Sequence, residues 1–178
     1  MPNEICGLLR GRNGRATELV RSKNTAANPT CDYEVDPETL LTLFDWEEAG
    51  DELVAIYHSH PAGPAYPSGA DAYQAHYPEA VYLICSLLEE GKPKLRGFCL
   101  RELSGEIDLE ASQNELVFDE IRPGLWAAYL PDNTPSPPSL ACLNRPLEQA
   151  LYIVYQEQQP YPTIVRAVSI QEVDLTVE

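Results

Sequence analysis

Leu53-Val54-Ala55-Ile56-Tyr57 is an uninterrupted apolar run that passes directly into His58-Ser59-His60 and then into Pro61-Ala62-Gly63-Pro64-Ala65-Tyr66-Pro67. A run this short, partly β-branched and closed by proline and glycine, reads as a buried strand with a sharply defined end. The prolines that follow leave no route for a helix, since each lacks an amide hydrogen and fixes its own backbone angle. The fold must therefore bury this strand in a sheet and turn the chain where it stops.

The flanking sequence supplies its neighbours. Residues 5–9 and 17–20 have strand character and are joined through Gly11-Arg12-Asn13-Gly14, a hairpin signal. Asp36-Pro37-Glu38 opens a helix, with Asp36 as cap, Pro37 at the first position and an acid in the first turn. Leu40, Leu41, Phe44 and Ala49 keep roughly helical spacing, and Gly50 stops it. A second helix start lies at residues 68–76. Residues 81–87 and 95–100 are further strands, and Ile107-Asp108-Leu109 a short edge strand. Strands and helices mixed this irregularly predict an α/β or α+β fold rather than a strict βαβ repeat.

The stretch Pro131-Asp132-Asn133-Thr134-Pro135-Ser136-Pro137-Pro138-Ser139 cannot sit inside a helix or a central strand. It is expected to be a linker, over 131–140, between a main domain at 1–130 and a C-terminal extension at 141–178. In the extension, Leu143, Leu147, Ala150, Leu151 and Val154 fall on one face of a predicted helix, and residues 163–170 have strand character. A piece of that size is too small for a confident core of its own and is expected to dock on the main body or on a partner.

Composition narrows the partners. The 178 residues carry a net charge of −16, which repels phosphate backbones and anionic lipid, so neither nucleic acid nor a membrane surface is an expected partner. No apolar run approaches the roughly 20 residues needed to cross a bilayer. The start, Met-Pro-Asn-Glu-Ile-Cys, lacks a secretory pattern. The five cysteines are odd in number and form no C-x-x-C pair, which is the usage of a reduced cytoplasm.

His58 and His60 are two apart on a strand, so both imidazoles leave the same face and can converge on one ion. Asp71 offers a carboxylate beyond a loop whose prolines and glycines can fold it back. Two nitrogens and one oxygen leave a fourth tetrahedral position open for water, as in a catalytic zinc site. An H-x-H alone is weak evidence, and Ser68-x-x-Asp71 is equally the pattern of a helix cap with an acid in its first turn. The two readings are compatible. Glu4, at the mouth of the apolar strand that follows it, is the candidate general base.

At these residues the chain resembles a known family. Pro2-Asn3-Glu4-Ile5-Cys6-Gly7-Leu8-Leu9-Arg10-Gly11, then His58-Ser59-His60, seven residues and Ser68-x-x-Asp71, is similar to the JAMM (MPN-plus) zinc metalloproteases. The pattern Glu…His-Ser-His-x7-Ser-x-x-Asp is matched without gap or substitution, and the similarity covers about residues 1–125. Asn28-Pro29, Tyr33-Glu34-Val35-Asp36-Pro37 and Tyr77-Pro78 resemble the small bacterial branch. The resemblance implies a cytidine-deaminase-like MPN/JAB fold, a mixed central sheet flanked by helices. It implies one Zn2+ per chain on His58, His60 and Asp71, with Glu4 moving the proton of the attacking water and Ser68 donating to the tetrahedral intermediate. The implied partner is a ubiquitin-like or sulfur-carrier protein ending in Gly-Gly, held by strand addition in a cleft walled by Pro64-Ala65-Tyr66-Pro67. A metallopeptidase or amidohydrolase acting on other amides, and a non-catalytic MPN scaffold, are the competing readings.

In one respect the chain departs from the pattern. Family members usually carry a helix ahead of the glutamate strand, and Glu4 lies close to residue 1. A native start upstream would supply it; otherwise the apolar face of residues 146–156 is expected to fill that place. His76 lies outside the ligand pattern and is expected at the surface.

Overall fold

A computed structural model of the chain describes residues 2–157, 160 and 163–176. It is a mixed α+β structure that divides into two compact units: residues 1–66, 79–98 and 172–178 form one, and residues 67–78 and 99–171 the other. No helix among the described residues is long and apolar enough to cross a membrane.

The first unit is built on strands β1 (Cys6–Arg12), β2 (Arg15–Ser22), β3 (Glu52–His60), β4 (Val81–Ser86) and the first half of β5 (Lys94–Glu102), in the order β2-β1-β3-β4-β5. The hairpin of β1 and β2 turns at Asn13-Gly14, where φ is 51° and 72°. A two-residue turn of matching twist requires positive φ at both positions, and Asn-Gly tolerates it. β1 and β3 are antiparallel, β3 and β4 parallel, β4 and β5 antiparallel, so the sheet is mixed. Helix α1 (Pro37–Glu48) starts as expected: the Asp36 side chain accepts from Glu38 N, Pro37 fills the first position and Gly50 adopts φ 74° just past the end. Across the sheet, Leu8 pairs with Ile56, Ile56 with Tyr82 and Tyr82 with Phe98, a row in which no residue is more than 4% exposed. That row is the centre of this unit's core.

The second unit contains α2 (Gly69–Tyr73), α3 (Leu109–Glu115), β6 (Asp119–Arg122), β7 (Leu125–Leu130), β8 (Ala150–Gln156) and β9 (Ile164–Val173), with strand order β9-β8-β7-β6, antiparallel throughout. Leu130, Leu140, Leu143, Leu151, Ile153 and Ala167 form its core.

Three expectations need correction here. Residues 150–156 form β8, not a helix, with Leu130 opposite Leu151 and Ala150 opposite Ile170. The apolar spacing suits a helix, but Tyr152-Ile153-Val154-Tyr155 is β-branched and aromatic, and nearly every residue of it is buried, which is the signature of a strand covered on both faces. The idea that a helix over 146–156 covers the glutamate strand falls with it. Asp108 does not lie in an edge strand; its carboxylate accepts from Ala111 N at 3.0 Å and caps α3. Strands β6 and β7 carry weak sequence signals: β6 is short, largely charged and exposed, and Ala127 and Ala128 dilute the pattern of β7.

The proline-rich segment is tied by hydrogen bonds. Arg145 donates to Thr134 O at 3.0 Å and Pro131 O at 2.6 Å, and Asn133 N to Leu147 O at 2.7 Å. Residues on both sides of it belong to the same unit.

Candidate metal centre

β3 ends on the residues that carry the chemistry. Cys6 of β1 lies opposite His58, His58 opposite Ile84 of β4, and His60 opposite Ser86. Neighbours across a ladder share a face, so His58 stands one rung beyond the Leu8–Ile56–Tyr82–Phe98 row, on the buried side. It is fully buried and His60 is 8% exposed. The Tyr33 ring lies flat on His58, centroids 4.1 Å apart at 15°.

The two Nε2 atoms are 2.9 Å apart. His60 Nδ1 lies 2.8 Å from Pro64 O, a contact that only an N–H can make, so in the neutral ring Nε2 carries the lone pair. Two imidazole nitrogens at this separation share a proton, which the His60 tautomer places on His58 Nε2; the same two nitrogens are the kind of donors a metal takes.

The loop after His60 is tied at three consecutive carbonyls. Gly63 O accepts from Ser86 Oγ at 2.6 Å, Pro64 O from His60 Nδ1 and from Tyr66 N at 2.9 Å, and Ala65 O from Arg96 Nη1 at 3.2 Å. Arg96 also lies over the Tyr66 and Phe98 rings and grips Glu172 through two hydrogen bonds of 2.7 and 2.5 Å. Those bonds hold the Glu172 carboxyl below its ordinary range.

Glu4 is 7% exposed, unusual for a glutamate near a chain start. Its N–H donates to Pro29 O at 2.6 Å and its carbonyl accepts from Asn24 Nδ2 at 3.0 Å. The next residue is locked to the serine between the histidines: Ile5 N donates to Ser59 Oγ, and Ser59 N to Ile5 O, both at 3.0 Å. Carrying the β1–β3 register two residues past Cys6 and His58 brings Glu4 level with His60, on the face of Cys6. Burial pushes the Cys6 thiol up to about 11, opposed by a hydrogen bond from Ser22 and reinforced by the charge of Glu4.

In the second unit, Ser68 caps α2. Its Oγ accepts from Asp71 N at 3.2 Å, while Asp71 Oδ2 accepts from Ser68 N and Ser68 Oγ, each at 2.7 Å. Asp71 is thus held at a helix start, where the dipole favours a carboxylate, and is 4% exposed. The capping reading of this spacing is met in full: the serine and the carboxylate form a reciprocal capping box. His58 and His60 in the first unit and Asp71 in the second are each buried, and each offers a donor atom of the kind a metal takes. An N2O set of this kind is within zinc's ordinary choice of ligands. His76 is exposed.

Sequence reasoning missed Tyr33 as the plate behind His58, Asn24 as the anchor of Glu4, and the Pro64 carbonyl that orients His60. No spacing rule connects them to the histidines; each arrives through strand pairing or loop closure.

A family model described as prokaryotic homologs of the JAB domain matches residues 1–98. A desampylase of Haloferax volcanii is 42% identical over 88 residues, covering 48% of this chain and 63% of that protein. A CysO-cysteine peptidase of Mycobacterium tuberculosis is 36% identical over 100 residues, covering 54% of this chain and 68% of the relative. A probable TtuB-protein conjugate cleaving protease of Thermus thermophilus is 40% identical over 77 residues, 43% of this chain and 51% of the relative. The matched stretches leave a third to a half of these relatives' lengths uncovered.

Proposed function

Because the chain belongs to the prokaryotic JAB-domain family, we propose that it is a zinc-dependent hydrolase cleaving the bond after the C-terminal Gly-Gly tail of a ubiquitin-like or sulfur-carrier protein. The observation that carries this reading is that His58 and His60, on one face of β3, and Asp71, at the start of α2, are all buried donors. The relatives' names, a desampylase, a CysO-cysteine peptidase and a TtuB-conjugate protease, support the substrate class.

His58 Nε2, His60 Nε2 and the Asp71 carboxylate would hold one zinc. Bound there, zinc supplies a Lewis acid and brings the pKa of water from about 15.7 toward roughly 7. The remaining work falls to side chains. Glu4, buried and fixed by its flanking hydrogen bonds, accepts the proton of the attacking water and returns it to the leaving amine, a contribution of about 10²–10⁴-fold. The Ser68 hydroxyl rotates from Asp71 to the oxygen of the tetrahedral intermediate, worth roughly 10²–10³-fold. A Gly-Gly tail, without side chains, lies in extended form along the loop at 64–67.

The test is to incubate zinc-loaded protein with a carrier extended by one residue beyond Gly-Gly and to weigh the product. Loss of the added residue is expected. An unchanged mass with turnover of a simple peptide would replace this reading with a general metallopeptidase; no turnover of either would leave a binding scaffold.

A further inference from the structure

The segment after residue 130 has no part in the mechanism just described, yet it holds the helix that carries Asp71. α2 spans five residues, far too few to be stable alone. On its N-terminal side, the carbonyl of Pro67, immediately before the Ser68 cap, accepts from Tyr152 Oη of β8 at 3.2 Å. On its C-terminal side, Arg166 of β9 reaches the exit from the helix: Nη1 donates to Tyr73 O and Nη2 to Ala75 O, the latter at 2.7 Å. Carbonyls there have no partner within a helix, and a cation complements the negative end of the helix dipole. Arg166 is 7% exposed, and Glu102 accepts from its Nε at 3.0 Å, so the guanidinium is both paired and fixed. The middle of α2 is tight as well; a Cβ added at Gly69 would lie 2.5 Å from Ala127 Cβ of β7.

We propose that Tyr152 and Arg166 are positioning residues for the metal ligand Asp71. The C-terminal segment is then part of the metal centre's frame rather than an appendage. Tyr152 sets where the cap begins and Arg166 sets where the helix ends, so together they fix the rise and rotation of the turn bearing the carboxylate. This rests on the metal reading of His58, His60 and Asp71.

The test measures zinc affinity by competition with a chromophoric chelator, and the visible absorption of the cobalt-substituted protein, for wild type, Tyr152→Phe, Arg166→Lys and Arg166→Met. Groups that orient a ligand typically change metal affinity by about 10–100-fold. Tyr152→Phe and Arg166→Met are expected to weaken zinc within that range and to alter the cobalt band. Arg166→Lys, which keeps the charge and one donor, should recover part of the loss. Circular dichroism of the metal-free proteins checks folding; should Arg166→Met not fold, Tyr152→Phe and Arg166→Lys decide. Folded variants with wild-type zinc affinity and an unchanged cobalt spectrum would overturn this inference alone. Wild-type protein that binds neither metal would overturn it together with the functional reading.

Discussion

The Asn24 amide makes all four hydrogen bonds open to a primary amide, and one of them fixes Glu4. Nδ2 donates to Glu4 O at 3.0 Å and to Asp32 O at 2.9 Å; Oδ1 accepts from Ala26 N at 3.0 Å and from Glu34 N at 3.1 Å. Asn24→Asp keeps the shape and both accepting bonds but sets a carboxylate oxygen against two carbonyls. Two lost bonds at about 0.5–1.5 kcal/mol each place the cost near 2 kcal/mol at pH 7, before any repulsion. For a chain of this size, each kcal/mol lowers Tm by roughly 2–4 °C, so a fall of about 4–8 °C is expected. The sign with pH is distinctive. The new carboxyl can donate only when protonated, so the fold raises its pKa above the unfolded value of about 3.9. Its destabilisation is therefore full at neutral pH and shrinks as pH falls through the raised folded pKa. Urea unfolding of wild type and variant at pH 7 and pH 5 measures both features. An unchanged midpoint at pH 7, or a gap that widens on acidification, would refute the role assigned to Asn24.

Further outcomes are open to measurement. Glu4→Gln should retain bound zinc and lose about 10²–10⁴-fold in kcat; full turnover would remove Glu4 from the chemistry. Asp71→Ala or His58→Ala should bring zinc, by elemental analysis, toward zero. Gly7→Ala would put a methyl against Val20 O and 2.6 Å from the Tyr57 ring, so stability should drop by about 1–3 kcal/mol in chemical denaturation; a neutral result would mean β1 and β2 yield easily. Although His76 reaches the surface, partial desolvation of its ring, aided by the Arg166 charge and opposed by Glu102, holds it below its ordinary pKa. Its contribution to stability is thus complete above about pH 6.5 and declines as pH falls through the folded value. His76→Gln should flatten the acid-side loss of stability, and parallel curves would contradict that.

The hairpin turn, the Asp36 cap, the end of β3 and the Ser68–Asp71 cap were all legible because each depends on residues within a few positions of one another. Residues 150–156 were misread for a related reason: the same apolar positions satisfy a helix or a strand, and only pairing with β7 and β9 selects one. Asp108 was legible in principle, since a cap and an edge strand compete for the same short polar residue, and the packing of α3 decides between them.

What the chain determines locally is the ligand chemistry. Strand alternation puts two imidazoles on one face, and a capping box holds a carboxylate at a helix start, whatever surrounds them. Tertiary structure decided the rest: that Tyr33 backs one ring and Pro64 orients the other, that Asn24 and Ser59 hold the strand leading from Glu4, and that Arg166 closes α2. Alternation and capping act over two to four residues, whereas these contacts join residues tens of positions apart, and no periodicity in a sequence encodes which distant backbone will arrive.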